Sequence, residues 1–332
     1  MDGGSAAWSG GARRPLGEIT GLRRARSPYS RLVATYLAVD IGGTKLAAGL
    51  VDADGTVLVR RDRPTDPADP WPGVEALVRS VMAEAGTHAV RSVGVGCGGP
   101  MTRGGVLVSP LNIAGWRDFP LRDRLGALTG LPVAVDNDAK ALALGEGWCG
   151  AARGRTSYLA MVVSTGVGGG IVLDGRLLHG ATGNAGHIGH MVVEPGGRVC
   201  GCGGRGCLEA EASGLAILAA TGRPPQDAPP AVRERTGRLV GRAVADVCVL
   251  LDLTLAVVAG SVALGFGAEL FSAAQREIDE RCRISFARGA RIEPAGLGPD
   301  GPLIGAAAVA RAAARWGDGT GPEGQPWRAA GG

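Results

Sequence analysis

The segment Gly186-His187-Ile188-Gly189-His190 runs into Cys200-Gly-Cys202-Gly-Gly-Arg-Gly-Cys207 and then Leu208-Glu209. One imidazole and three thiols, His190, Cys200, Cys202 and Cys207, fall within eighteen residues. The glycines between them let the chain curl until four soft ligands meet on one ion, the composition of a closed Cys3His zinc site. A disulfide reading fits less well, because three thiols cannot pair completely and Cys-Gly-Cys strains a direct bridge. A four-ligand site of this kind is structural, so the ion holds the loop and leaves the chemistry to others. His187, His190 and Glu209 beside it are polar groups suited to gripping a small hydroxylated ligand.

Carboxylates supply a second candidate. Asp136-Asn137-Asp138 closes the apolar run Leu131–Val135 and precedes a helical run from Ala139 to Trp148. A carboxylate at a strand end and helix start can take a proton from a substrate hydroxyl. Asp and Asn are also favoured N-caps, so one residue can cap while another reaches into a cleft. Asn112, in Ser109-Pro-Leu-Asn112-Ile, is a loop residue that would bind a hydroxyl if such a cleft exists.

Two glycine-rich turns could cradle phosphates. Asp40-Ile41-Gly42-Gly43-Thr44-Lys45 and Ser164-Thr165-Gly166-Val167-Gly168-Gly169-Gly170 each follow an apolar strand. Glycine lets backbone N–H groups converge on an anion, and a hydroxyl adds a donor. Either turn alone is more often a plain tight turn. The pair strengthens the phosphate reading, and Asp40 at the strand end could hold a hydrated Mg2+.

The elements that would position these groups repeat. Tyr36–Asp40, a turn, Leu46–Val51 and Asp54-Gly55 read as strand, turn, strand and hairpin. Tyr158–Val163, the second turn, Ile171–Leu173 and Asp174-Gly175 follow the same plan, suggesting an internal duplication with a cleft between the halves. Further on, Val232–Leu251 and Ala268–Arg281 read as helices, Leu255–Ala259 as a strand, and Pro302–Trp316 as an Ala-rich helix.

Composition narrows the class. The chain has 332 residues, 45% hydrophobic and 4% aromatic, enough for two cored domains. The net charge of +4 matches six arginines (13, 14, 23, 24, 26 and 31) against Asp2 and Glu18 near the start. A near-neutral body argues against a nucleic-acid footprint. No run is long or apolar enough for a secretory leader or a membrane span. Cys97, Cys149, Cys248 and Cys282 are isolated and read as free thiols, so a cytoplasmic location is expected.

Taken together, the Asp40–Lys45 and Ser164–Gly170 turns, Ser109–Ile113 with Trp116, Asn137-Asp138-Ala139, Gly189-His190 and the cysteine block resemble the ROK family of repressors and sugar kinases. The similarity runs from about Tyr36 to Trp316 in the family's order. It implies an α/β, actin-like (hexokinase-type) ATPase fold: two domains of duplicated ribonuclease H-like topology around an interdomain cleft. It implies Asp138 as the base, and Asn112, Asn137, Asp138, His187, His190 and Glu209 around the sugar. Asp40, Gly42, Gly43, Thr44, Lys45, Thr165, Gly166, Gly168 and Gly260 would face ATP and Mg2+. His190 would serve zinc and sugar through its two ring nitrogens.

Three departures from the family pattern matter. Many ROK glucokinases carry Glu where this chain has His187, whereas Ala185-Gly-His-Ile-Gly-His190 resembles bacterial N-acetylmannosamine kinases. The adenosine-side Gly-Gly pair reads Val258-Ala259-Gly260-Ser261, and the Pro-rich Thr221–Pro230 segment is short. The expected activity is ATP-dependent phosphorylation of the 6-hydroxyl of a hexose or N-acylhexosamine, N-acetylmannosamine favoured and glucose the alternative. A sugar-binding regulator without kinase activity is the other class. A ROK repressor needs a helix-turn-helix domain, which 35 Arg/Gly-rich residues are not expected to make. Partners are expected to be a small sugar and further copies of the chain, as a homodimer or homotetramer, with no nucleic acid and no membrane. Residues 1–35 and 317–332 read as disordered tails, 36–141 with 303–316 as a small domain, and 142–302 as a large domain carrying the zinc loop 187–209.

Overall fold

The computed structural model describes residues 34–86 and 88–316. The expected disorder of the tails falls on residues outside these, apart from one boundary: Thr35 is buried and already opens the first strand. Among the described residues, ten strands form two five-stranded sheets. In the first, β1 (Thr35–Ile41), β2 (Lys45–Asp52) and β3 (Val57–Pro64) are antiparallel, and β4 (Val90–Cys97) and β5 (Val133–Asn137) extend it in parallel. In the second, β6 (Tyr158–Val163), β7 (Val167–Leu173) and β8 (Arg176–Leu177) are antiparallel, and β9 (Leu255–Ala259) and β10 (Arg291–Pro294) are parallel. The orders 3-2-1-4-5 and 8-7-6-9-10 are one plan used twice. Both central strands, β1 and β6, are near-continuous apolar runs because helices and loops cover both their faces.

Nine helices are described: α1 (Trp71–Glu84), α2 (Leu121–Thr129), α3 (Asp138–Cys149), α4 (Leu208–Ala212), α5 (Gly214–Thr221), α6 (Pro230–Leu251), α7 (Ser261–Phe266), α8 (Ala268–Arg281) and α9 (Gly301–Trp316). α9 lays Leu303, Ala306 and Ala307 on Ala38, Ala47 and Val51 of the first sheet. Its small residues also admit α3: a Cβ on Gly145 would stand 3.1 Å from the Gly305 Cα. The helix that starts at Asp138 is therefore wedged between the first sheet, the second sheet and α9. Among the described residues, no helix is long and apolar enough to cross a membrane.

One expectation is corrected. The second glycine run was expected to be a turn as far as Gly170, but β7 begins at Val167, so only Ser164–Gly166 turns. The glycines are there for packing. A Cβ on Gly168 would meet the Ala139 Cβ at 3.1 Å, and one on Gly170 would meet the Ala143 Cβ at 2.8 Å. β7 is pressed under α3 too closely for side chains.

Candidate active site

The site is assembled where β5 ends and α3 begins. Asn137 is the N-cap, its Oδ1 accepting the Ala139 N–H at 3.0 Å, which satisfies a donor that helix geometry leaves open. Asp138 is the first helical residue and its Oδ1 accepts the same N–H at 2.8 Å. The residue is exposed, yet the surrounding protein withholds enough water to push its carboxyl above the usual range, with the Ala139 N–H acting in the opposite direction. Asn137 and Asp138 thus share the helix-start N–H, and Asp138 keeps its other carboxylate oxygen free of it.

Asp40 stands opposite, at the end of β1. A Cβ on Gly96 of β4 would be 3.5 Å from the Asp40 Oδ1 and 3.7 Å from the Asp138 Cα, so this glycine keeps open the space between the two carboxylates. Burial, reinforced by the Asp138 charge, raises the Asp40 carboxyl to about 7. Two carboxylates that act on each other in this way are a natural cation site, because a cation would relieve both desolvation and repulsion.

The first glycine turn closes with the Gly42 N–H on the Lys45 carbonyl at 3.0 Å, and the Thr65 hydroxyl donates to the Gly42 carbonyl at 2.7 Å. Thr44 is exposed at its tip. Lys45 is placed differently from a free phosphate ligand: its ammonium pairs with Asp62 at 3.1 Å. Asn112 lies directly over the turn, where a Cβ on Gly43 would come within 2.7 Å of the Asn112 Cβ. Its loop is anchored by the fully buried Trp116, whose indole stacks on Phe119 at 4.1 Å. Truncating such a ring to Ala typically costs about 3–5 kcal/mol.

The second turn is braced by other elements. The Glu209 Oε2 accepts the Val167 N–H at 2.9 Å, the Gly214 N–H donates to the Ser164 carbonyl at 2.7 Å, and the Ser164 and Ser261 hydroxyls are 3.0 Å apart. Gly260 precedes Ser261 with φ of 102°, a backbone conformation that favours glycine. Thr165 is exposed at the turn and Gly168 lies beside Ala139 in β7.

The imidazole and the three thiols converge. The ligand atoms of His190, Cys200, Cys202 and Cys207 all lie within 4.8 Å of one another. Cys202 and Cys207 Sγ are 3.7 Å apart, and His190 Nδ1 is 3.6 Å from Cys200 Sγ. Metal–sulfur bonds of about 2.3 Å in a tetrahedron put sulfurs about 3.8 Å apart, close to the Cys202–Cys207 separation, so the cluster has the ligand set and near spacing of a metal site. None of the seven cysteines is disulfide-bonded, in line with the expectation of free thiols at Cys97, Cys149, Cys248 and Cys282. With Nδ1 turned to the thiols, the Nε2 of His190 remains for a ligand.

His187 is exposed, with its ring 6.1 Å from that of His190 and 17° from parallel. Its Nδ1 lies 2.8 Å from the Asn184 carbonyl, so Nδ1 carries the proton and a neutral ring offers Nε2 as an acceptor. The His187 ring lies within electrostatic reach of Asp138.

A group not assigned from the sequence braces this loop. Lys140 is 1% exposed, and its ammonium donates to the Gly183 carbonyl at 2.6 Å and pairs with Asp136 at 3.6 Å. His179 Nδ1 reaches the other Asp136 oxygen at 3.6 Å. The helix carrying Asp138 is thus tied to the backbone next to Asn184, which in turn orients His187. The signal was present as one of only two lysines in the chain, but a lysine four residues after an aspartate is normally a solvated helix pair.

Two sheets of one strand plan, with a carboxylate and a glycine turn at the strand ends, are the arrangement of an actin-like ATPase fold of the hexokinase type. The ROK family model matches residues 36–313, and the chain belongs to that family as an ATP-dependent carbohydrate kinase. It is 41% identical over 254 residues to an N-acetylmannosamine kinase of Escherichia fergusonii, covering 70% of this chain and 85% of that protein. A ROK hexokinase from Thermus thermophilus has a TM-score of 0.72 at 34% identity, covering 85% of this chain and 99% of its own. A ROK glucokinase from Streptomyces griseus, solved with glucose and AMPPNP, has a TM-score of 0.71 at 31% identity, covering 83% and 99%.

Proposed function

We propose that the enzyme phosphorylates the 6-hydroxyl of N-acetylmannosamine in preference to glucose. The observation that carries the preference is His187: its Nδ1 proton is committed to the Asn184 carbonyl, leaving Nε2 as its one acceptor. A carboxylate there would accept from two adjacent hydroxyls, whereas a single imidazole acceptor suits one amide N–H or one hydroxyl. The identity to N-acetylmannosamine kinases supports the same choice.

Asp138 accepts the proton of the 6-hydroxyl, and its raised pKa makes it a better base than an ordinary carboxylate. Asn112, Asn137, His187, His190 and Glu209 orient the sugar. The N–H groups and hydroxyls around Gly42, Gly43, Thr44, Lys45, Thr165, Gly166 and Gly168 hold the phosphates, and Gly260 lies on the adenosine side. Asp40 holds the water shell of Mg2+. Bound ATP and Mg2+ supply the phosphoryl group and neutralise its charge, so the protein contributes mainly positioning and electrostatics.

His190, Cys200, Cys202 and Cys207 hold a structural Zn2+. Residues 36–141 with 303–316 form the small domain and 142–302 the large one, consistent with α9 packing on the first sheet. The enzyme works in the cytoplasm as a homodimer or homotetramer. A coupled ADP-release assay over glucose, mannose, N-acetylglucosamine and N-acetylmannosamine tests the acceptor. N-acetylmannosamine should give the highest kcat/KM, and His187→Glu should shift its ratio to glucose toward glucose. An unchanged ratio, or glucose as the better substrate of the unmodified enzyme, removes His187 from specificity.

A further inference from the structure

At the far end of α3 lies a cavity of about 390 Å3. Trp148 in its wall is ten residues beyond Asp138, ~15 Å along the helix axis, so the cavity is separate from the cleft. Four arginines line it: Arg155 after α3, Arg176 on β8, and Arg311 and Arg315 one turn apart on α9. Asp174 is the single acidic residue among the described lining residues.

Elsewhere, arginines such as Arg60, Arg61, Arg79 and Arg242 close on carboxylates. Among the described residues, Arg155, Arg176 and Arg311 have no carboxylate partner. Arg311 is instead held over the Trp148 ring at 5.1 Å, which fixes its guanidinium without neutralising it. Gathering like charges around a concavity is unfavourable unless an anion completes it.

We propose that this cavity binds the phosphate group of a small phosphorylated molecule. The planar forks of several guanidinium groups match a phosphate dianion better than a single carboxylate. The volume is in the range of small-molecule sites. Its walls come from α9, which packs on the first sheet, and from the β7–β8 hairpin of the second, so an occupant touches both halves of the fold.

Calorimetric titration of the full chain with inorganic phosphate, glucose 6-phosphate and citrate tests this. In Arg176→Ala/Arg311→Ala, affinity for both phosphate probes should fall at least about tenfold, while Thr165→Ala in the cleft turn should leave this binding in place. Arg176→Ala alone, on an exposed hairpin, should weaken binding in the same direction if the double variant misfolds. Tighter binding of glucose 6-phosphate than of phosphate identifies an ester as the ligand, and equal binding identifies the free anion; both uphold the site. The proposal is overturned if neither phosphate probe binds, if binding survives the arginine substitutions but is lost in Thr165→Ala, or if citrate binds more tightly than both.

Discussion

The turn after β1 is held by its own hairpin: the Gly42 N–H bonds the Lys45 carbonyl, the Thr65 hydroxyl caps the Gly42 carbonyl, and Lys45 is paired with Asp62 on the neighbouring strand. The turn after β6 borrows its support from Glu209 on α4, the start of α5, and Ser261 on α7. Glu209 follows directly on the cysteine cluster, so the second turn depends on loops that a metal can order and the first does not. A duplicated plan has diverged into one self-contained half and one whose geometry is conditional on distant parts of the chain.

The largest effect should come from Asp138, which lies between the two turns. Asp138→Asn is expected to lower kcat at least about a hundredfold while sugar binding persists, as steady-state kinetics and calorimetry would read. Near-normal turnover would mean that the space between the turns is not where transfer occurs.

Cys202→Ser attacks the borrowed support. Metal content and sugar affinity should fall together, affinity by about tenfold or more, because metal binding also orders the loop of His190 and Glu209. ATP affinity should fall less, through the Glu209 bond to the Val167 N–H. Full activity in protein shown by elemental analysis to lack metal would break the comparison.

Lys140→Met severs the tie between α3 and Gly183. Sugar KM should rise several-fold with kcat and ATP KM moved less, and the melting temperature should fall, since removing one partner of a buried pair costs about 3–5 kcal/mol. Equal changes in the sugar and ATP KM values would show that the tie serves the whole fold and not the sugar loop.

The smallest effect concerns the charge peculiar to the first turn. Asp40 is raised from 3.8 to about 7 in the folded protein, so its neutral form is favoured by folding. That contribution is fully present below the unfolded pKa and is lost as pH rises through about 7. Asp40→Asn should therefore melt higher than the unmodified, ligand-free protein at pH 8, by about 3 °C or more, with the gap narrowing toward pH 5. A gap independent of pH would mean that the carboxyl titrates normally.

The sequence by itself determined the strand-turn-strand repeat, the long helices and the cysteine cluster, because continuous apolar runs, 3.6-residue periodicity and ligand spacing are local properties. Helix Ala268–Arg281 and strands Tyr158–Val163 and Leu255–Ala259 come out with the expected bounds. β3 was not legible: Val57–Pro64 carries three arginines and is mostly exposed, and only the ladder to β2 makes it an edge strand. Gly168, Gly169 and Gly170 have the composition of a turn, but the pressure of α3 on β7 makes them strand residues. Only tertiary structure could decide that Lys140 is buried under Gly183, that the His187 donor is spent on Asn184, or that four arginines distant in sequence line one cavity. Each depends on which backbone approaches which, and that is set by how the two sheets and α3 pack.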